Sequence, residues 1–232
     1  MRGDTANHLI RVLRAEPGQI YELSDGERVQ LGRIERIGRD SLSFKLVGEV
    51  PASEPRLHIT LLMALVKFER FEWAVEKATE LGVAEIVPLS AERSEKALVT
   101  AAEKRVERWK KIAVESAQQS RRLKPPVVVA PMKAAEAFRR ANAGIKLLLS
   151  EERDAPRLRS VLSGKTDDIV SLAIGPEGGW TEREVESARS AGFLEASLGE
   201  NILRTETAVI AALASVNFAL DGFATSAKNA GN

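Results

Sequence analysis

IGPEGGWTERE, residues 174–184, joins an apolar run to a helical pattern. Thr181 and Glu184 have the spacing of a capping box, which predicts that a helix begins at this point. The three glycines just before them let the backbone approach a ligand closely and leave amide groups free to donate hydrogen bonds. The stretch is therefore either a ligand-binding loop between a strand and a helix or an ordinary glycine-rich turn.

The two common nucleotide-binding loops do not match this chain. A dinucleotide-binding loop requires GxGxxG, and the glycines of residues 174–184 do not have that spacing. A phosphate-binding loop requires a glycine five residues before Gly-Lys-Thr. Gly164-Lys165-Thr166 is present, but Arg159 occupies the upstream position. These failures argue against a nucleotide-hydrolysing enzyme.

On both sides of residues 174–184, from Leu57 onward, strand patterns alternate with helix patterns. The apolar runs are Leu57–Leu65, Ile86–Leu89, Val127–Ala130, Ile145–Leu149, Ile169–Ile174 and Phe193–Leu198. The helical pattern from Phe68 to Leu81 ends at Gly82, a residue type that favours the C-terminal cap of a helix. Six such runs alternating with helices predict an α/β domain with an open, mainly parallel sheet.

Three of these runs are followed by stretches that can form a site. They are LLLSEE at residues 147–152, the glycine-rich stretch at 174–184, and SLGENILRTETA at 197–208. In open parallel sheets, ligands bind outside the carboxyl ends of the strands, so we expect the three loops to meet on one ligand. Arg204 and Glu206 begin an otherwise apolar helix, where an unpaired buried charge is costly. They are either functional groups or an ion pair at the helix start.

The first fifty residues have a different pattern. Alternating runs at His8–Arg14, Glu27–Ile37 and Ser41–Val47, with turn dipeptides at Pro17-Gly18 and Asp25-Gly26, predict short strands over residues 8–48. Closely spaced strands joined by turns are typical of a small barrel or sandwich. Residues 48–55 contain two prolines and are expected to be a linker, and the small, polar tail after Gly222 is expected to fray.

Composition excludes several kinds of site. The 232 residues include no cysteine and only two histidines, His8 and His58. This excludes disulfides, thiolate zinc sites, iron–sulfur clusters and a cysteine nucleophile, and we expect no bound metal. The chain starts without the apolar core of a secretory signal, and no stretch approaches the roughly 18 apolar residues of a membrane span. We expect a cytoplasmic protein that does not associate with membranes.

The net charge is only +1, so any basic surface must be local. Residues 91–125 contain ten Lys or Arg against five Glu. Basic runs are commonly solvated helix faces. Within this run, however, ESAQQSRR at residues 115–122 offers amides, hydroxyls and guanidinium groups that suit phosphate and base contacts. Both interpretations stay open on charge alone.

Together, these stretches resemble the SPOUT-class 16S rRNA uracil-N3 methyltransferases, the RsmE family, over nearly the whole chain. The matching blocks are His8-x-x-Arg11-Val12-Leu13-Arg14, Lys77-Ala78-Thr79-Glu80-Leu81-Gly82-Val83, Ala91-Glu92-Arg93-Ser94, Glu115-x-x-x-Gln119-Ser120-x-Arg122, Ile174-Gly175-Pro176-Glu177-Gly178-Gly179 and Leu198-Gly199-x-x-Ile202-Leu203-Arg204-x-Glu206-Thr207-Ala208. Glu200-Asn201 departs from the Pro-Arg that is usual in the family. Any RNA contact that the family's arginine makes there is in doubt for this chain.

The resemblance implies a PUA-like, RNA-binding β-barrel over residues 1–50. It also implies a SPOUT methyltransferase domain over residues 56–232, with a C-terminal trefoil knot that binds the cofactor and a surface that forms a homodimer. The implied cofactor is S-adenosylmethionine, and the implied partner is 16S rRNA, within the small ribosomal subunit or a late precursor. No metal is required for this chemistry.

The resemblance also implies roles for individual residues. The cofactor would be held by Leu149, Ser150, Glu151, Ile174, Gly175, Pro176, Gly178, Gly179, Leu198, Gly199, Ile202 and Leu203. The RNA would be bound by Arg11, Arg14, Arg93, Gln119, Ser120 and Arg122. Arg204 would stabilise the charge that develops as uridine N3 loses its proton, with Glu206 or Glu177 as base or orienter. Two alternatives are a SPOUT methyltransferase acting on another rRNA or tRNA base, and a non-catalytic RNA-binding assembly factor.

Overall fold

The computed structural model describes residues 1–26, 28–50, 56–152 and 154–221. The chain divides into two compact units, Met1–Glu54 and Pro55–Asn232. The N-terminal unit contains helix α1 (Asp4–Arg11) and strands β1 (Ile20–Ser24), β2 (Val29–Ile37) and β3 (Leu42–Val50). The strands form an antiparallel sheet in the order β1-β2-β3. Buried side chains of α1 and the sheet form its small core.

The strand predicted for His8–Arg14 is wrong, because this segment is mainly the second half of helix α1. Ala6, Leu9 and Ile10 recur at helical spacing and pack toward Ile34 and Leu42. The predicted linker is also partly wrong, since residues 48–50 complete β3. Residues 51–55 and the tail after Gly222 lie outside the described residues.

All six predicted apolar runs form strands of the C-terminal unit. The strands are β4 (His58–Ala64), β5 (Glu85–Ser90), β6 (Val127–Val128), β7 (Met132–Lys133), β8 (Ile145–Leu149), β9 (Ile169–Ile174) and β10 (Leu194–Ala196). They form a seven-stranded sheet in the order β10-β8-β9-β4-β5-β6, with β7 also paired to β5. Every pairing in this sheet is parallel, which confirms the α/β prediction.

Helices connect these strands. They are α2 (Phe68–Glu80), α3 (Lys96–Ala102), α4 (Val106–Gln119), α5 (Ala134–Arg140), α6 (Leu158–Leu162), α7 (Glu182–Ser190) and α8 (Thr205–Asp221), with a short 3₁₀ turn at Glu103–Arg105. Gly82 follows α2 with a φ of 89°, a left-handed conformation that costs glycine little, so the predicted helix end is confirmed.

The sheet is buried on both faces, as parallel sheets usually are. One face packs against α2, α4, α6 and α8 around Phe71 and Trp109. The other face packs against α5 and α7 around Phe138. Because β10, β8 and β9 are neighbours, their carboxyl ends lie side by side at one edge. No helix in the described part of the chain is long and apolar enough to cross a membrane.

Candidate active site

A pocket lies at the carboxyl ends of β8, β9 and β10, where the three loops meet. All twelve residues expected to hold the cofactor line it: Leu149, Ser150, Glu151, Ile174, Gly175, Pro176, Gly178, Gly179, Leu198, Gly199, Ile202 and Leu203. The strand-end positions of these loops predict that they converge, and the structure brings them together in one cavity. The pocket is also lined by residues that were not predicted for it, among them Arg93, Trp180 and Thr205.

These three unpredicted residues connect the pocket loops to one another and to the loop that carries Arg93. Trp180 donates its indole N–H to the carbonyl oxygen of Leu149 at 2.9 Å. The hydroxyl of Thr205 donates to the carbonyl oxygen of Gly175 at 3.1 Å. Arg93 Nη1 donates to the carbonyl oxygen of Gly178 at 2.7 Å. Each bond joins segments far apart in sequence, so sequence spacing carried no signal for these contacts.

The capping box at the start of α7 is confirmed. The Thr181 hydroxyl accepts from the amide of Glu184, and the Glu184 carboxylate accepts from the amide of Thr181 at 3.0 Å. The second carboxylate oxygen of Glu184 accepts from the amide of Glu92 at 2.9 Å. This buried carboxylate therefore fixes the start of α7 and also holds the loop that carries Arg93.

The pocket wall combines backbone polar groups with apolar side chains. A Cβ atom added to Gly175 would lie 3.1 Å from the Trp180 ring, so only glycine fits there without displacing the indole. Leu149, Ile174 and Leu198 supply apolar surface. Apolar walls with a few backbone donors and acceptors are typical of small-molecule sites.

An arginine that the sequence analysis did not single out lies beside the candidate catalytic residues. Arg70, on α2, forms an ion pair with Glu177, and its Nε lies 3.8 Å from Glu206 Oε1. Arg204 is exposed and forms no ion pair with any described residue. Glu206 thus pairs with Arg70, and the alternative of an Arg204–Glu206 pair at the helix start is wrong.

The predicted RNA-binding residues have different environments. Arg11 and Arg14 are exposed in the N-terminal unit, and Gln119 is exposed at the end of α4. Ser120 donates its hydroxyl to the carbonyl oxygen of Ser116 at 2.7 Å. Arg93 lies at the pocket described above. Of the four predicted residues in the C-terminal unit, one therefore lies at the pocket and three lie at or just after the end of α4.

Arg122 has a structural role. Its Nη1 donates to the carbonyl oxygens of Thr79 and Val83 at 2.7 and 2.9 Å, where α2 ends. Burial lowers the pKa of its guanidinium below the ordinary value. These contacts favour a structural role for Arg122 over the predicted RNA contact, because the group is half-buried and engaged by the backbone.

The basic run at residues 91–125 is largely paired within the protein. Arg105 and Arg108 both contact Glu72, at 3.2 and 2.8 Å. Lys110 and Lys111 pair with glutamates on their own helix. These contacts favour the interpretation of a solvated helix face for this part of the run. Within the described ranges, no three His, Asp or Glu side chains form a cluster that could hold a metal ion.

Comparison with known proteins identifies the family. A family model described as an RNA methyltransferase domain matches residues 53–217. The chain is 37% identical over 224 residues to ribosomal RNA small subunit methyltransferase E of Synechocystis sp., covering 93% of this chain and 71% of the relative. The chain belongs to the RsmE family. The resemblance drawn from the sequence blocks is thus confirmed.

Further RsmE proteins agree with this assignment. The Bacillus subtilis relative is 31% identical over 226 residues, covering 93% of this chain and 88% of the relative. The crystal structure of the Neisseria gonorrhoeae RsmE bound to S-adenosyl methionine matches with a TM-score of 0.82 and 31% identity. That match covers 95% of this chain and 91% of the other.

This RsmE-family chain departs from the usual family pattern at Glu200-Asn201, on the pocket rim. The Glu200 carboxylate lies 3.3 Å from Arg157 Nη2, and its side chain is 90% exposed. At the two positions where the resemblance has Pro-Arg, this chain thus has an acid paired with Arg157 and an amide. No arginine is available at position 201 for an RNA contact.

Proposed function

We propose that this chain transfers a methyl group from S-adenosylmethionine to N3 of a specific uridine in 16S rRNA. The observation that carries this proposal is the convergence of the β8, β9 and β10 loops on one pocket. The chain is a member of the RsmE family, and the Neisseria member was solved with S-adenosyl methionine bound. We infer from both that the pocket is the cofactor site.

The pocket residues fit this cofactor. Backbone groups of the 174–179 loop can pair with the edge of an adenine, and Leu149, Ile174 and Leu198 can flank its faces. A Cβ added at Gly178 would already contact carbon atoms of Arg93, at 3.5 Å, so the loop backbone and Arg93 lie close together at this part of the wall. When bound, the cofactor supplies a methyl group on a positively charged sulfur, so no metal is needed for transfer.

The acceptor nitrogen carries a proton in neutral uracil, so this proton must leave before or during methyl transfer. Arg204, exposed and unpaired among the described residues, would stabilise the negative charge on the uracil oxygens. Of the two candidate bases, the structure favours Glu206. Glu177 is engaged by Arg70, whereas Glu206 Oε2 has no hydrogen-bond partner within the described part of the chain.

We further propose that the N-terminal unit is a PUA-like barrel that binds RNA. Its described residues include a three-stranded antiparallel sheet that packs against α1, a small β-rich unit separate from the C-terminal one. Residues 1–50 contain eight Lys or Arg and eight Asp or Glu, so RNA binding would depend on where its arginines lie rather than on net charge.

The proposed C-terminal knot requires the loops after β8 and β10 to lie against each other, and backbone hydrogen bonds join these two loops. Ser197 donates its amide to the carbonyl oxygen of Pro156, and Leu158 donates its amide to the carbonyl oxygen of Ser197. The loop after β8 and the loop after β10 are therefore in direct backbone contact. We also propose that the protein works as a homodimer in the cytoplasm, where its ribosomal substrate is assembled.

The experiment that tests this function compares modified nucleosides in small-subunit rRNA from cells with and without the protein, by mass spectrometry. We expect 3-methyluridine in the first sample and its loss from the second. Identical profiles would favour a non-catalytic assembly factor. Loss of a different methylated nucleoside, or loss from tRNA, would show that the acceptor is another base.

A further inference from the structure

A second groove lies between α2 and α4, and it shares a wall with the pocket. Leu203 and Thr205 line the pocket, whereas Arg204 and Glu206 line the groove. Successive residues of this segment thus alternate between the two cavities. Arg70 also lines the groove and pairs with Glu177 of the pocket loop, so the boundary between the cavities is a charged strip.

Glu206 is the unusual member of this strip, because it is a buried carboxylate that is only partly paired. The residue is 7% exposed. Its Oε1 lies 3.8 Å from Arg70 Nε, and its Oε2 is buried without a hydrogen-bond partner among the described residues. Burying an unpaired carboxylate oxygen is costly, and such groups are rare unless they have a function. We take the free oxygen as an acceptor for a donor that a ligand brings.

Arg204 and Glu206 present complementary hydrogen-bonding types at the groove. The arginine is a donor only, and the glutamate carboxylate is an acceptor only. The imide edge of uracil presents an acceptor oxygen on either side of an N–H donor, so the N–H and one oxygen can pair with these two groups. Cytosine has an acceptor at N3 and an amino donor beside it, so it would meet Glu206 and an arginine with the wrong groups.

An aromatic side chain in the same groove adds a surface for stacking. Trp73 lines the groove, is 44% exposed, and lies three residues after Arg70 on α2, hence on the same helix face. Enzymes that modify a base commonly hold it outside its helix by stacking it on aromatic side chains while reading its Watson–Crick edge. A large exposed tryptophan beside an unpaired carboxylate fits this arrangement.

We infer that the groove takes the imide edge of the target uracil, with Arg70 as the positioning residue for Glu206. This inference rests on the proposed function. The Glu206 carboxylate, which lines the groove, accepts the N3 proton, and Arg70 holds this carboxylate in place through Oε1. The N3 electron pair forms the bond to the methyl carbon, and the carbon–sulfur bond breaks with its electrons left on sulfur. Arg204 donates to a uracil oxygen, on which negative charge develops.

The test compares Arg70→Gln, Arg70→Lys and the matched control Arg189→Gln. Arg189 lines neither the pocket nor the groove, and it pairs with Glu186 at 3.0 Å. The substrate is small ribosomal subunits from cells that lack the protein. Single-turnover rates are measured on protein saturated with S-adenosylmethionine, and RNA and cofactor affinities are measured separately.

We expect Arg70→Gln to lower the single-turnover rate on the order of 100-fold, as for loss of a preorganised charged group, with both affinities near wild type. Arg70→Lys should restore part of the rate, because lysine keeps the positive charge but lacks the planar guanidinium group with its several N–H donors. Arg189→Gln should react like wild type.

A near-normal rate for Arg70→Gln, or an equal loss for Arg189→Gln, would overturn the inference even if wild type makes 3-methyluridine. If wild type makes no 3-methyluridine, the proposed function fails first. The two failures are therefore distinguishable in one set of reactions.

Discussion

Trp180 donates its indole N–H to the carbonyl oxygen of Leu149 at 2.9 Å. This bond joins the glycine-rich loop after β9 to the end of β8, two strands that are paired side by side. The indole also packs edge-on against Phe138, with ring centroids 5.7 Å apart. One side chain thus fixes two of the three pocket loops and anchors them to the core.

Trp180→Phe should therefore weaken both the fold and the pocket. The ring packing largely remains, but the carbonyl of Leu149 loses its partner, so we expect the free energy of unfolding to fall by about 1 kcal/mol. Affinity for S-adenosylmethionine, measured by calorimetry, should fall with it. The matched control is Trp109→Phe, because Trp109 Nε1 has no partner among the described residues. If Trp180→Phe keeps wild-type affinity, the bond does not shape the pocket.

Gly178→Val should abolish cofactor binding and leave the fold intact. A Cβ at this position meets only Arg93 carbon atoms, at 3.5 Å, which is ordinary contact, so the backbone tolerates a side chain. Because Gly178 lines the pocket, the valine methyl groups should take up space that the cofactor needs. Gly48→Val is the control, since its Cβ would lie 3.6 Å from Leu31 in the N-terminal unit. Unchanged affinity in folded Gly178→Val protein would remove this loop from the cofactor site.

Arg122→Ala should destabilise the protein without weakening RNA binding. It removes a charged donor from two backbone carbonyls, and we expect a loss of roughly 1.5 to 3 kcal/mol in the free energy of unfolding. Arg121→Ala is the control, because that neighbour is exposed. Denaturant unfolding and RNA titration separate the two roles. Normal stability with reduced RNA affinity would return Arg122 to the RNA-binding set.

Arg11 and Arg14 are the remaining exposed arginines of the predicted RNA set in the N-terminal unit. Replacing both with alanine should weaken binding to small-subunit rRNA and reduce its salt dependence. The log–log slope should fall by about 0.7 to 0.9 for each phosphate that the variant no longer neutralises. The double control is Arg139→Ala with Arg140→Ala, two exposed arginines outside the set. An equal weakening in both double variants would indicate a general charge effect.

The sequence predicted the parallel sheet and the pocket because their signals are local. Each strand is a short apolar run, and the loops follow strands directly. The helix at Asp4–Arg11 was missed because Leu9-Ile10 and Val12-Leu13 form a short apolar run that fits a strand as well as a helix. The packing of Ala6 and Leu9 into the core of the N-terminal unit favours the helix. Arg70 was missed for another reason. Its partners lie over a hundred residues away, and its own neighbourhood resembles any charged helix face.

The most direct test of the proposed chemistry is a single-turnover methyl transfer with the product nucleoside identified by mass spectrometry. Wild type, Arg204→Ala and Glu206→Gln are compared, each normalised to folded, cofactor-bound protein. Wild type should yield 3-methyluridine, and Arg204→Ala should be slower by on the order of 100- to 1,000-fold with little change in affinities. Glu206→Gln should lose a comparable factor if Glu206 takes the proton. A near-normal rate for Arg204→Ala, or a methylated nucleoside other than 3-methyluridine from wild type, would contradict the account.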